Sequence, residues 1–188
     1  MFSAFLDANV LVPISLTDTI LRCADEELFH PLWSERVLEE TRWAIIRTEP
    51  SLAVSRVQYR LNRMRAAFPE AMVSGYEGLE DRIETPDPDD RHVVAAAFLG
   101  AADLIVTNNL QDFPADVLAE LGLEAVAPDC FLQDMLDLAP SVVRRVIVSQ
   151  AKDARNPPRA VVDVLAALER AGAADFVRDF YELFPEAT

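Results

Sequence analysis

Four acidic side chains, Asp7, Glu40, Asp90 and Asp112, stand where a chain of alternating strands and helices could bring carboxylates together. Asp7 ends the first apolar run of FSAFLDANVLVP, the pattern of a buried strand whose last residue reaches the sheet edge. In open parallel sheets, ligands sit beyond the carboxyl ends of the strands, near the point where strand order reverses. Glu40 borders the apolar face Val37, Leu38, Thr41, Ala44 and Ile45 of a helix, while Glu39 points nearly opposite. Taken alone, Glu40 is equally well explained as a surface glutamate on a helix flank. Asp90 precedes Val93, Val94 and Ala97 at i+3, i+4 and i+7, which puts it on a buried stripe in the first helical turn. An acid there also favours the free N–H groups and the helix dipole, by roughly 0.3–1 kcal/mol, but Asp87 and Asp89 already serve that end. Asp112, in TNNLQDF, is by itself a turn former or the cap of a helix beginning near Pro114.

The chemistry lies in the combination. At an effective dielectric near 20, two carboxylates about 6 Å apart repel by roughly 3 kcal/mol. Several such pairs disfavour a fully ionised cluster unless protons or a cation offset them. Oxygen donors without a neighbouring His or Cys select a hard octahedral ion, Mg²⁺ or Mn²⁺ rather than Zn²⁺.

The elements that would position these acids follow from hydrophobic period and capping signals. After the Asp7 strand, Thr17 or Asp18 caps a helix to about Glu27, and Phe29 to Trp33 forms a second strand. Ser34 caps a helix to about Arg47, and Ser51 caps another to about Ala67 with the apolar stripe Val57, Leu61, Met64 and Phe68. Arg56, Arg60 and Arg63 make a second stripe roughly 100° away; alone, it is most plainly a solvated face beside a core face. Residues 69–86 are irregular, with a short strand expected near Ile83. Asp87-Pro88 opens a helix to about Leu99, Leu104 to Thr107 is a compact strand, Pro114 to Leu121 a helix, and Glu124 to Ala127 a last strand. This alternation is that of a parallel sheet with helical crossovers. From residue 128 only helices are expected, at 129–138, 141–153, 158–171 and 173–184, separated by Pro140, Asn156-Pro157-Pro158 and Gly172. Residues 1–127 are therefore expected as an α/β domain and 128–188 as an all-helical extension.

Composition narrows the function classes. The net charge of −15 argues against holding nucleic acid by bulk charge, although residues 42–67 carry Arg42, Arg47, Arg56, Arg60, Arg63 and Arg65 against only Glu49. The one lysine, Lys152, excludes a Walker A loop in the α/β part. Cys23 and Cys130 form no CxxC or disulfide framework, and no apolar run spans a membrane or heads a signal peptide. A cytoplasmic protein is expected.

The series FLDANVLVP, SERVLEE, PDPDDRHVVAAAF and LIVTNNLQDF resembles the PIN domain family in order and spacing over about residues 1–127. It is most similar to the VapC-type ribonuclease toxins of bacterial toxin–antitoxin pairs. The resemblance implies a doubly wound parallel sheet of order 3-2-1-4-5 and a Mg²⁺ or Mn²⁺ site built from Asp7, Glu40, Asp90 and Asp112. It implies pocket-lining roles for Asn9, Thr107 and Asn109, the last at a place often occupied by Asp. The expected activity is metal-dependent endonucleolytic cleavage of RNA, with Arg42, Arg47, Arg56, Arg60 and Arg63 along the RNA backbone. An antitoxin protein and a homodimer are the expected partners. A non-catalytic interaction module that binds an antitoxin is the alternative. An aspartyl phosphatase fits less well, because DANVL lacks an acid two residues after Asp7 and no lysine is available to steady a phosphoryl group.

Overall fold

Ala4, Phe5 and Leu6 are completely buried, and the strand they belong to is the centre of a parallel sheet. A computed structural model describes residues 1–155 and 157–187; Asn156 of the expected Asn156-Pro157-Pro158 break lies outside the described residues. In chain order, β1 (Ser3–Leu6), α1 (Ala8–Leu11), α2 (Ile14–Asp25), β2 (His30–Ser34), α3 (Glu35–Thr48) and α4 (Val54–Ala67) come first. Then follow β3 (Met72–Val73), α5 (Arg91–Leu99), β4 (Leu104–Val106), α6 (Ala115–Glu120) and β5 (Glu124–Val126). The tail is α7 (Pro128–Leu138), α8 (Pro140–Asp153), α9 (Val161–Arg170) and α10 (Ala174–Leu183).

The strands pair in the order β3-β2-β1-β4-β5, all parallel. This is the expected doubly wound α/β architecture. Phe5 is in register with Leu32 on one side and Ile105 on the other. Strand order reverses between β1 and β4, so Asp7 and Thr107 emerge side by side at the carboxyl edge. Their amides still continue the ladder, Asp7 N to Val106 O (3.1 Å) and Thr107 N to Val126 O (3.0 Å).

Ser34 caps α3 as expected, its hydroxyl accepting from Val37 N at 3.2 Å. Three expectations shift. The third strand is Met72–Val73 and not near Ile83, because the chain from Glu77 to Arg82 winds into a 3₁₀ turn and Ile83 is buried just after it. Ser51 does not cap α4, which begins at Val54 after an uncapped Ala53. Helix α2 starts at Ile14, earlier than Thr17 or Asp18; the Thr17 hydroxyl instead donates to Pro13 O within the first turn.

The described residues form two compact units. One comprises Phe2–Val12 and His30–Val126 and holds the sheet with α1, α3, α4, α5 and α6. The other comprises Pro13–Phe29 and the chain from Ala127, so α2 is grouped with the four C-terminal helices. In that helical unit the Thr19 hydroxyl donates to Gln150 Oε1 at 2.7 Å, and Gln150 Nε2 donates to Ser15 O at 3.1 Å. Phe29 meets Phe131 edge to face at 4.9 Å, and the Asp129 carboxylate caps α10 by accepting from Asp175 N and Phe176 N. No helix among the described residues is long and apolar enough to cross a membrane.

Candidate active site

Asp7 is 6% exposed and caps α1, with Oδ1 accepting from Ala8 N at 2.6 Å. Its Oδ2 accepts from the Asn9 amide (2.6 Å) and the Thr107 hydroxyl (2.7 Å). Thr107 Oγ1 in turn accepts from Asn9 Nδ2 and Asn109 N, both at 3.1 Å, which satisfies the hydroxyl completely. Asn9 Oδ1 takes the Asn108 amide at 2.9 Å. Asn9 and Thr107 therefore form a bracket across the strand-order reversal and hold the Asp7 carboxylate in place. Burial still pushes the Asp7 carboxyl above its ordinary value; the Thr107 and Ala8 hydrogen bonds oppose this, and the Glu40 charge adds to it.

Asp90 ends the 3₁₀ turn Pro88–Asp90, immediately before α5. Asp87, not Asp90, caps this turn, accepting from Asp89 N at 2.9 Å. The Asp90 side chain makes no capping bond. Its carboxyl is raised to about 6, first by burial and then by the charges of Asp7, Asp112 and Asp87. Asp112 closes the turn Leu110–Asp112, and its Oδ2 accepts a short hydrogen bond from Asn109 Nδ2. Pro114, not Asp112, precedes α6, so the capping role open to Asp112 is not used.

Glu40, on α3, is tied through one oxygen. Oε1 accepts from Arg36 Nε at 3.2 Å and lies 3.1 Å from His92 Nε2. His92 is 1% exposed, and its Nδ1 is buried without a partner. Arg36 extends further, Nη1 to Glu80 Oε2 and Nη2 to Asp89 O, each at 3.4 Å. Arg36, Glu80 and His92 escaped the sequence reading. The i,i+4 spacing of Arg36 and Glu40 was a usable signal; nothing local marks His92 or Glu80.

The four acids thus fall into one electrostatic neighbourhood, Asp7 sensing Glu40, and Asp90 sensing Asp7 and Asp112. As the side chains stand, no three His, Cys, Asp or Glu among the described residues are gathered tightly enough to hold one ion together. The donor set nevertheless suits a hard cation: the donors are carboxylate oxygens, and burial, with neighbouring acids adding to it, raises the Asp7 and Asp90 carboxyls.

A family model for the PIN domain matches residues 3–111, more than half of the chain. The chain belongs to the PIN domain family. A second model, for the VapC50 C-terminal domain, matches residues 128–182, the helices that follow the PIN domain. A protein of Mycobacterium tuberculosis (strain ATCC 25618 / H37Rv), named "Putative ribonuclease VapC50", is 37% identical over 99 residues. That match covers 53% of this chain and 58% of the relative. No solved structure matches.

The arginines of this PIN domain part into two groups. Arg47, Arg56 and Arg63 are exposed. Arg60 is turned inward, donating to Leu11 O at 2.6 Å and Val12 O at 3.1 Å, where α1 ends. Arg42 is half-buried, its guanidinium 4.7 Å from the centre of the Trp43 ring.

Proposed function

We propose that this chain is a Mg²⁺- or Mn²⁺-dependent endoribonuclease, the toxin of a VapBC-like pair. The observation that carries the proposal is the Asp7 carboxylate of a PIN domain, held by Asn9 and Thr107 at the strand-order reversal. The half-buried Asp90 carboxyl, raised to about 6 by burial and by Asp7 and Asp112, is in accord with it. Perturbation by converging acids at a strand-order reversal marks a site suited to a cation. Asp7, Glu40, Asp90 and Asp112 would hold the ion. When bound, a divalent cation supplies Lewis-acid charge to the scissile phosphate and to an attacking water. The protein's own part is positioning. Asn9 and Thr107 fix Asp7, and Asn109 steadies Asp112.

Exposed Arg47, Arg56 and Arg63, with Arg42 beside them, would follow the RNA backbone. Arg60 serves that surface by anchoring α4 to the end of α1. A local cation and a basic helix pair together offset the repulsion an RNA meets from a chain of −15. We assign a small antitoxin and a second copy of the chain as its protein partners, and residues 128–188 as an extension of the nuclease part.

The test is cleavage of a labelled RNA with Mn²⁺ and with EDTA. Wild type cleaves only with the ion, and Asp7→Asn or Asp90→Asn lowers the rate at least about 100-fold. Near wild-type rates from either variant would remove the proposed site. In cells, toxicity that is abolished by Asp7→Asn and suppressed by the neighbouring gene product supports the toxin role.

A further inference from the structure

Two of the segments that carry the acids are joined by one guanidinium. Arg36 lies in the first turn of α3 and reaches three acceptors: Glu40 Oε1, Glu80 Oε2 and the carbonyl of Asp89. The Asp89 carbonyl belongs to the peptide bond that leads into Asp90. His92, two residues further on and enclosed in α5, places its Nε2 3.1 Å from the same Glu40 oxygen. Among the described residues both contacts fall on Oε1, and no hydrogen bond reaches Oε2.

We infer that Arg36, seconded by His92, is a positioning residue that fixes Glu40 and the Asp90 turn relative to one another, leaving Glu40 Oε2 for the cation. This rests on reading Asp7, Glu40, Asp90 and Asp112 as the cation site. Charge alone predicts the opposite role. A guanidinium beside the site repels an incoming cation, so a merely neutralising Arg36 weakens metal binding. As a surface i,i+4 pair with Glu40 it would also contribute little to stability. Its planar fork, which a lysine cannot reproduce, is what the three-way contact uses.

The opposing signs make the inference testable on the full chain by titrating Mn²⁺ alone and following its electron paramagnetic resonance signal. Wild type binds and Asp7→Asn does not. Arg36→Gln and Arg36→Lys both weaken binding about tenfold, the size of effect expected when a ligand loses its supporting contact. His92→Leu weakens it too, whereas His92→Gln, which retains a donor, stays closer to wild type. Circular dichroism restricts the comparison to folded variants, and Arg36→Lys, which keeps the charge, carries the test if Arg36→Gln does not fold. Tighter binding by Arg36→Gln with Arg36→Lys equal to wild type would overturn the inference and make Arg36 a counter-charge. Absence of Mn²⁺ binding in wild type itself would instead overturn the cation site, and the positioning role with it.

Discussion

The Asp90 carboxyl has an ordinary value of 3.8 and is raised to about 6, so it is less acidic in the folded chain than in the unfolded one. The cost of holding it ionised is absent below the ordinary value, grows as pH rises between the two values, and is complete above about 6. Without divalent ions, Asp90→Asn therefore stabilises the protein at pH 7.5 and not at pH 3.5. After discounting for solvent at a half-buried group the gain is about 1 kcal/mol, or about 2–4 °C in melting temperature. On the proposed function, Mn²⁺ should stabilise wild type at pH 7.5 and lose that effect below pH 5, where protons displace it. A melting temperature that Asp90→Asn lowers at both pH values would contradict this. The cysteines differ in the same physical terms: burial pushes the Cys23 thiol up to about 12, while Cys130 is exposed. A thiol reagent at pH 8 should modify one cysteine in the native protein and two in denaturant.

At the scale of elements, Arg60 shows how a surface stripe can conceal a tie between helices. Its hydrogen bonds to Leu11 and Val12 meet carbonyls at the end of α1 that have no partner further along that short helix. Arg60→Ala should cost about 2–3 kcal/mol in a urea melt, whereas exposed Arg56→Ala and Arg63→Ala should stay within about 0.5 kcal/mol. The same two exposed substitutions should flatten the salt dependence of RNA binding, by about one unit of slope each at most. An Arg60→Ala melt unchanged from wild type would show that the tie is dispensable.

Much of this was legible from local pattern. The apolar runs around Phe5, Leu32 and Ile105 and the Ser34 and Asp87 caps report nearby chain, so the strands, helices and four acids could be located in advance. The edge strand Met72–Val73 could not, because two residues carry no period and their pairing with Trp33 and Ser34 decides the matter. Arg36 and His92 were missed for a related reason: their significance arises when Glu80, Asp89 and Glu40 approach from distant parts of the sequence. A helical wheel puts Arg60 on the outer stripe because it does not report the end of a helix nearly fifty residues earlier.

For the whole molecule, the grouping of α2 with the C-terminal helices has a consequence for dissection. Leu16, Ile20 and Cys23 are fully buried in α2, and Thr19 and Ser15 are hydrogen-bonded to Gln150 of α8. A fragment ending at residue 127 loses those partners. It should melt well below the full chain or aggregate, and co-expression with residues 128–188 should restore it; a fragment as stable as the full chain would contradict this. The net charge of −15 acts at this scale as well. It disfavours nonspecific nucleic acid, so if RNA is captured as proposed, by the basic helix pair and a bound cation, cleavage should fall steeply with added salt. The proposed activity depends on the carboxylates closing on one ion. Anomalous scattering from crystals of the full chain grown with Mn²⁺ tests that directly. A manganese peak ligated by Asp7 and Asp90, within reach of Glu40 and Asp112, is the predicted result; manganese bound elsewhere, or no peak in crystals of active protein, would contradict it.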